Sequence, residues 1–190
     1  MIARVGPAHE DVLRAAAEVL GRDGVQALDL GELGERAGVD AAVLRTRFDG
    51  LQHVVHAALW IVRGDLTNAF LAAQALPTTW AERVGAGVKG ILRYAARHPG
   101  RARLAYVEAP RLGPAVWVEH AAAMRRFARL LHSMHGEADV PPLFYETLAG
   151  AIYTSTRELV ADGRWCEADA LVSRVVAMCE PVDRALAVAS

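Results

Sequence analysis

Residues 29–48 read DLGELGERAGVDAAVLRTRF, from Asp29 to Phe48, and this stretch decides the fold. Asp29 can cap a helix and Glu32, three residues on, can bond back to it, which makes a capping box. Leu30, Leu33 and Ala37 recur at helical spacing, so that helix has one apolar face. Gly38 ends it, because glycine enters the left-handed C-cap conformation without steric cost. Asp40 caps a second helix after the single spacer Val39, and Leu44 and Phe48, four apart, mark its buried side. Asp40, Ala41, Ala42, Val43, Arg45, Thr46 and Arg47 are left at its start and on its outer face. A duplex major groove admits a helix, and arginine forks suit guanine edges and phosphates, so these seven are candidate DNA contacts. Two capped helices with solvated arginines would satisfy the same pattern, since helix pairs joined by glycine turns are common.

What lies on either side favours a helix-turn-helix. Upstream, His9 to Gly24 (HEDVLRAAAEVLGRDG) predicts an amphipathic helix with Val12, Leu13, Ala16, Val19 and Leu20 on one stripe. Downstream, a helix restarts at Leu51, and three helices can share one small core where two cannot. The pattern stays helical to the end. Long helices are predicted over Leu51–Ala75, broken by Pro77, and over Trp80–His98, ended by Pro99 and Gly100. A short one follows over Arg101–Val107, then a loop at Arg111–Pro114 and a helix over Ala115–Gly136. Pro141 and Pro142 open a helix to Ala161, Gly163 breaks it, and Arg164–Glu180 forms the last. No strand-like alternation or hairpin turn interrupts them. The fold class is all-α.

Composition bounds the function. Of 190 residues 53% are hydrophobic, enough for a sizeable core, and a formal charge of −1 argues against a generally basic nucleic-acid coat or a membrane-surface protein. Met1 to Gly50 carries six arginines, no lysine and nine acids, a balance of −3 that is unfavourable for a polyanionic partner. Cys166 and Cys179, thirteen apart, make no disulfide framework and read as small buried hydrophobes. The first residues lack a signal-peptide core, and no apolar run approaches the ~18 residues of a membrane span. A cytoplasmic protein without membrane contact is expected.

Several groupings imitate chemistry. Gly85, Gly87 and Gly90 spell GxGxxG, but inside a predicted helix with no strand before it, so close helix packing is the better reading. His53/His56 and His132/His135 have metal-compatible spacing, yet neither pair has a nearby cysteine or a Glu-x-x-His partner. Ser133, Ser155 and Ser173 lack a nucleophile elbow. No enzyme motif is present, and no cofactor or metal is expected. Helices 142–161 and 164–180 carry apolar residues on more than one face: Leu148, Ile152 and Leu159, then Leu171, Val175, Val176 and Met178. Such helices need burial on two sides, which predicts a two-fold interface in a homodimer.

The run VLRAAAEVLGRDGVQALDLGELGERAGVDAAVLRTRF resembles the DNA-binding domain of TetR-type transcriptional regulators without a gap from Val12 to about Trp60. RYAARHPGRARLAYVEA, Arg93 to Ala109, is similar to the histidine–proline helix break such regulators often carry. Departures fall where the family usually has cations: Gly31 early in the second helix, Ala41 at the start of the recognition helix and Leu51 at the start of the fourth. The resemblance implies a DNA-binding domain over 1–50, an effector-binding and dimerisation domain over 51–190, operator DNA as partner and a small-molecule effector. By the same resemblance a pocket lies among the middle helices, with Arg93, Tyr94, Trp117, His120, Met124, Tyr145 and Tyr153 as candidate lining residues. Trp117, His120 and Met124 share one helix face at i, i+3 and i+7, which suits a largely apolar ligand with one or two hydrogen-bonding groups. The leading expectation is a ligand-responsive regulator, probable repressor, on a palindromic operator. The alternative is a helical ligand-binding or interaction module whose DNA contacts have decayed.

Overall fold

Nine α-helices and no strand make up the described residues of the computed structural model, which are 7–25, 28–74, 79–136 and 140–189. The helices are α1 (Pro7–Asp23), α2 (Leu30–Ala37), α3 (Ala41–Arg47), α4 (Leu51–Ala72), α5 (Trp80–Arg97), α6 (Pro99–Arg103), α7 (Pro114–His135), α8 (Pro142–Asp162) and α9 (Ala168–Ala189). A π-helical turn (Leu104–Glu108) and a 3-10 turn (Ala109–Arg111) join α6 to α7. Pro77 and the expected end of α4 at Ala75 lie outside the described residues.

Local chemistry builds the first three helices as the sequence dictates. Asp29 Oδ1 accepts hydrogen bonds from the amides of Gly31 (2.7 Å) and Glu32 (2.8 Å), and the Glu32 carboxylate accepts from the Asp29 amide (3.3 Å). Gly38 closes α2 at φ 66°. Leu33 of α2 and Leu44 of α3 are fully buried in the same core as Leu13, Ala16, Ala17 and Leu20 of α1. That core continues without a break through α4 and α5 to α9.

Two polar junctions tie α1 to the rest. Arg14 forks onto Asp65 of α4 through Nε (3.0 Å) and Nη2 (2.9 Å), and the Tyr94 hydroxyl of α5 donates to the same carboxylate at 3.1 Å. Glu18 receives the Gly100 (2.9 Å) and Arg101 (3.3 Å) amides at the start of α6, where a carboxylate suits the unpaired N–H groups and the helix dipole. Close approach here needs small residues, because a Cβ on Gly21 would collide with the Gly100 carbonyl. The GxGxxG run of α5 serves packing too: a Cβ on Gly87 would meet the Phe70 ring of α4, and one on Gly85 the Val176 side chain of α9.

Three expectations are corrected. Pro99 starts α6 directly after His98, and the chain then winds into the π turn where one short helix over Arg101–Val107 was predicted. The last helix begins at Ala168 after a 3-10 turn and runs through Pro181 to Ala189 instead of ending at Glu180. Pro181 and Ala177, whose carbonyl loses its partner there, are both exposed, so water can take up the lost bond. The dimer candidates Leu148, Ile152, Leu159, Leu171 and Val175 are each at most 3% exposed within the single chain. α7 packs on α8 and α5 on α9, so the chain's own helices cover these faces. Of the seven, Val176 is half-buried and Met178 alone is exposed.

Candidate functional sites

The first site is the outer face of α3. Asp40 Oδ1 accepts from the Ala42 amide at 2.8 Å, and the Asp40 carbonyl accepts from the Val43 amide at 2.9 Å. Ala42, Val43, Arg45, Thr46 and Arg47 are exposed, Ala41 is half-buried, and Leu44 alone points fully inward. The Thr46 hydroxyl donates to the Ala42 carbonyl (2.7 Å), which fixes its methyl and oxygen on that face. The unit's cations divide into two sets. Arg22 (2.8 Å) and Arg36 (3.1 Å) both pair with Asp23, whose carboxyl they hold down at about 2, and Arg14 is committed to Asp65. Arg47 has no ion-pair partner among the described residues. Arg45 leans back toward the start of α2, where a Cβ on Gly31 would stand 3.3 Å from its Nη2 and 3.1 Å from Asp29 Oδ1. Amide hydrogen bonds from Glu32 and Gly31 hold the Asp29 carboxyl below its ordinary value, and Arg45 adds a smaller pull. Gly31, a departure from the family pattern, thus makes room for a cation that α3 supplies.

The second site is a half-open cavity lined by α4, α5, α7, α8 and the π turn. Leu66, Phe70, Ile91, Phe127 and Ile152 make its body apolar, and the Phe70 and Phe127 rings meet edge-on at 5.1 Å. Arg63 and Thr67 of α4 wall both this cavity and an adjoining open groove between α4 and α7, lined also by His56, Trp60, Glu119 and Arg126. Glu119 bridges the two helices: its Oε1 lies 3.1 Å from His56 Nδ1, and its Oε2 accepts from Arg63 Nη1 at 3.4 Å. Among the described residues, Arg63 Nη2 and the Tyr153 hydroxyl are buried without a hydrogen-bond partner. Burial lowers the Arg63 pKa despite Glu119 and raises those of Tyr153 and Tyr106. His120, its ring tilted against that of Tyr153 at 4.4 Å, is lowered by burial and by Arg63.

Of the seven predicted lining residues, the cavity brings together Met124 and Tyr153. His120 touches Tyr153 from a shallow neighbouring pocket that it shares with Trp117, and Trp117 is 52% exposed. The other three lie elsewhere. Tyr94 uses its hydroxyl on Asp65, and its pKa is pushed up to about 12, chiefly by burial. Arg93 stands with Lys89, Trp165 and Asp169 between α5 and α9. Tyr145 is fully buried, its hydroxyl 2.8 Å from His135 Nδ1, in a cluster where His135 stacks on Trp80 at 4.1 Å. The sequence reading missed Arg63, Thr67, Phe70 and Tyr106. The available signal was Arg63 itself, a lone cation in register with Leu59, Leu66 and Phe70 on an otherwise buried stripe.

The remaining groupings resolve into structure. His53 sits edge-on to Phe48 at 5.4 Å, and His132 lies 4.8 Å from the Tyr145 ring. Among the described residues no cluster of His, Cys, Asp and Glu is placed to hold a metal ion, and no helix is long and apolar enough to cross a membrane. Cys179 is buried, its thiol pushed up to about 12 by burial, whereas Cys166, expected to be buried, is exposed in the 3-10 turn before α9.

This architecture, three short helices seated on a long fourth beside a hollow helical bundle, is the fold of TetR-type transcriptional regulators. No protein-family model matches the sequence, and no curated protein matches it. Solved structures do. The fatty acid degradation regulator FadR of Bacillus halodurans superposes with a TM-score of 0.77 at 15% identity, over 92% of this chain and 95% of that one. A TetR-like transcriptional regulator from Rhodococcus sp. RHA1 gives 0.72 at 18% identity, over 97% and 99%. FadR of Bacillus subtilis, solved in complex with stearoyl-CoA, gives 0.70 at 12% identity, over 87% and 96%.

Proposed function

We propose that this chain is a cytoplasmic, ligand-responsive transcriptional repressor, not an enzyme, which binds a palindromic operator as a homodimer. One observation carries the reading: α4 belongs to both sites. Its first turns sit under α3, with His53 against Phe48, and its later turns supply Arg63, Leu66, Thr67 and Phe70 to the cavity. A helix of 22 residues is a rigid lever about 33 Å long, so filling the cavity can move the reading helix. The split at residue 50 then divides a reading unit from an effector unit. A neighbour of the same fold holds stearoyl-CoA, which supports a small-molecule occupant for the cavity here. The dimer contact falls on what the monomer leaves outside: Leu143, Thr147, Gly150, Ala151 and Thr154 on one face of α8, and Met178 on α9.

Operator selection from random duplexes tests the reading. The expected product is an inverted repeat with half-sites one helical turn apart, ~34–36 Å, or a multiple of it, bound by a species that sediments as a dimer. Recovery of no enriched palindrome overturns it. The second reading, a helical module with decayed DNA contacts, is favoured by the pairing of Arg14, Arg22 and Arg36 within the protein, which leaves few cations for phosphate. That module would show no operator while still binding a ligand.

A further inference from the structure

The mouth of the cavity is chemically lopsided. Two arginines, Arg63 and Arg126, face a single carboxylate, Glu119, and Arg126 disfavours the charge on Arg63. Glu119 is itself divided between His56 and Arg63, and its 3.4 Å contact with Arg63 is long for a charge-assisted bond. On the other side of the guanidinium, Nη2 has no acceptor among the described residues, and the nearby Tyr153 hydroxyl, on the same cavity wall, has no partner among them either. Buried donors without acceptors are costly, so their presence around a hollow marks a place for an acceptor. Beyond them the cavity offers Thr67, whose hydroxyl already donates to the Arg63 carbonyl at 2.9 Å, the Tyr106 ring and otherwise apolar side chains.

Building on the effector-site reading above, we infer that the cavity takes a monoanionic amphiphile, its apolar body among Leu66, Phe70, Ile91 and Phe127. Its carboxylate-type head accepts from Arg63 and Tyr153 in competition with Glu119. The head supplies the acceptor that Nη2 and the Tyr153 hydroxyl lack, and a guanidinium fork suits a carboxylate. Glu119 is the internal stand-in: exposed enough to be solvated when released, and held too loosely to resist replacement. Because Glu119 links α4 to α7, its displacement also changes what holds the lever helix. A neutral ligand would leave Arg63 under-compensated, and a cationic one would add repulsion.

Isothermal titration of the purified chain with decanoate, methyl decanoate and decyltrimethylammonium, all below their micellar concentrations, tests this. Decanoate is expected to bind about tenfold more tightly than the ester, and the cation not measurably. Arg63→Met should erase the acid-over-ester preference while ester binding persists, and Tyr153→Phe should reduce it. Glu119→Gln should strengthen decanoate binding, the readout that a merely structural Arg63 would not move. Equal binding of acid and ester, an unchanged preference in both Arg63→Met and Tyr153→Phe, or no binding by any probe overturns the inference. Failure of the regulator reading looks different: decanoate then binds with its preference intact but leaves operator affinity unchanged. If the ester alone binds and weakens the operator complex, the regulator stands and the anion does not.

Discussion

At the amino-terminal end of α4, most charged side chains, Arg47 excepted, find partners within a few residues or on the next helix. Asp23 holds Arg22 and Arg36, Asp29 closes its capping box, and Asp40 caps α3. Further along the same helix, Arg63 is short of acceptors and shares a hollow with an unpartnered tyrosine. The first region pairs most of its charges from its own sequence; the second leaves two buried polar groups without a partner among the described residues. A folded chain tolerates that incompleteness where the missing partner is a ligand, and the well-packed surroundings carry the cost.

The sharpest way to break this contrast is to remove equivalent volume from each region. Leu44→Ala opens a void in the closed core beneath α3 and should cost about 2–5 kcal/mol in denaturant unfolding. Met124→Ala only enlarges a space that is already open, and should cost roughly 1 kcal/mol. Equal losses would mean that the cavity wall is packed as tightly as the reading unit, and the contrast would fail.

The same contrast explains what could be read in advance. Caps, glycine stops and the Leu33–Leu44 pair act over a few residues, so α2, the turn and α3 were legible to the residue, as was the helical character of the rest. The cavity depends on which faces meet across α4, α5, α7 and α8, and no local pattern encodes that. Tyr94 and Tyr145 are candidate pocket residues only by the family resemblance, and both are partnered inside the fold. The apolar second faces of α8 and α9 predict a partner subunit, but Leu148 and Val175 are buried by helices of the same chain. Arg63 carries a weak mark in the sequence, a lone cation on an apolar stripe, because an arginine on a helix is ordinarily solvated; its buried Nη2 is what sets it apart.

A smaller effect comes from pH. Burial against Trp80 holds His135 below its ordinary value of 6.5, with Arg83 and His132 pushing the same way and Asp183 opposing. His98 and His120 are lowered by burial as well. A histidine whose folded pKa is depressed binds protons more readily in the unfolded chain, so its contribution is present above pH 6.5. That contribution is lost as pH falls through the folded value. The melting temperature should therefore drop between pH 7.5 and 5.5, and His135→Gln should drop less over the same interval. A flat wild-type profile would show that the Trp80 cluster accepts the imidazolium, with Asp183 as its counter-ion.

The finest test separates two neighbouring cations on α3. Arg47 is unpaired among the described residues, whereas Arg45 stands beside the Asp29 carboxylate at the start of α2. Each phosphate neutralised adds about 0.9 to the slope of log affinity against log salt, so Arg47→Ala should flatten that slope by about this amount on the selected operator. Arg45→Ala should flatten it less, since Asp29 already offsets part of the field that Arg45 presents to the duplex. Asp29→Asn keeps an N-capping oxygen while removing the charge, because asparagine caps as well as aspartate. In that background Arg45 acts alone, and Arg45→Ala should then flatten the slope as much as Arg47→Ala does. Titrations at four salt concentrations for these variants decide the point: equal slopes for Arg45→Ala and Arg47→Ala with Asp29 intact would show that DNA pulls Arg45 away from α2. The reading unit would then be less finished on its own than its free structure shows.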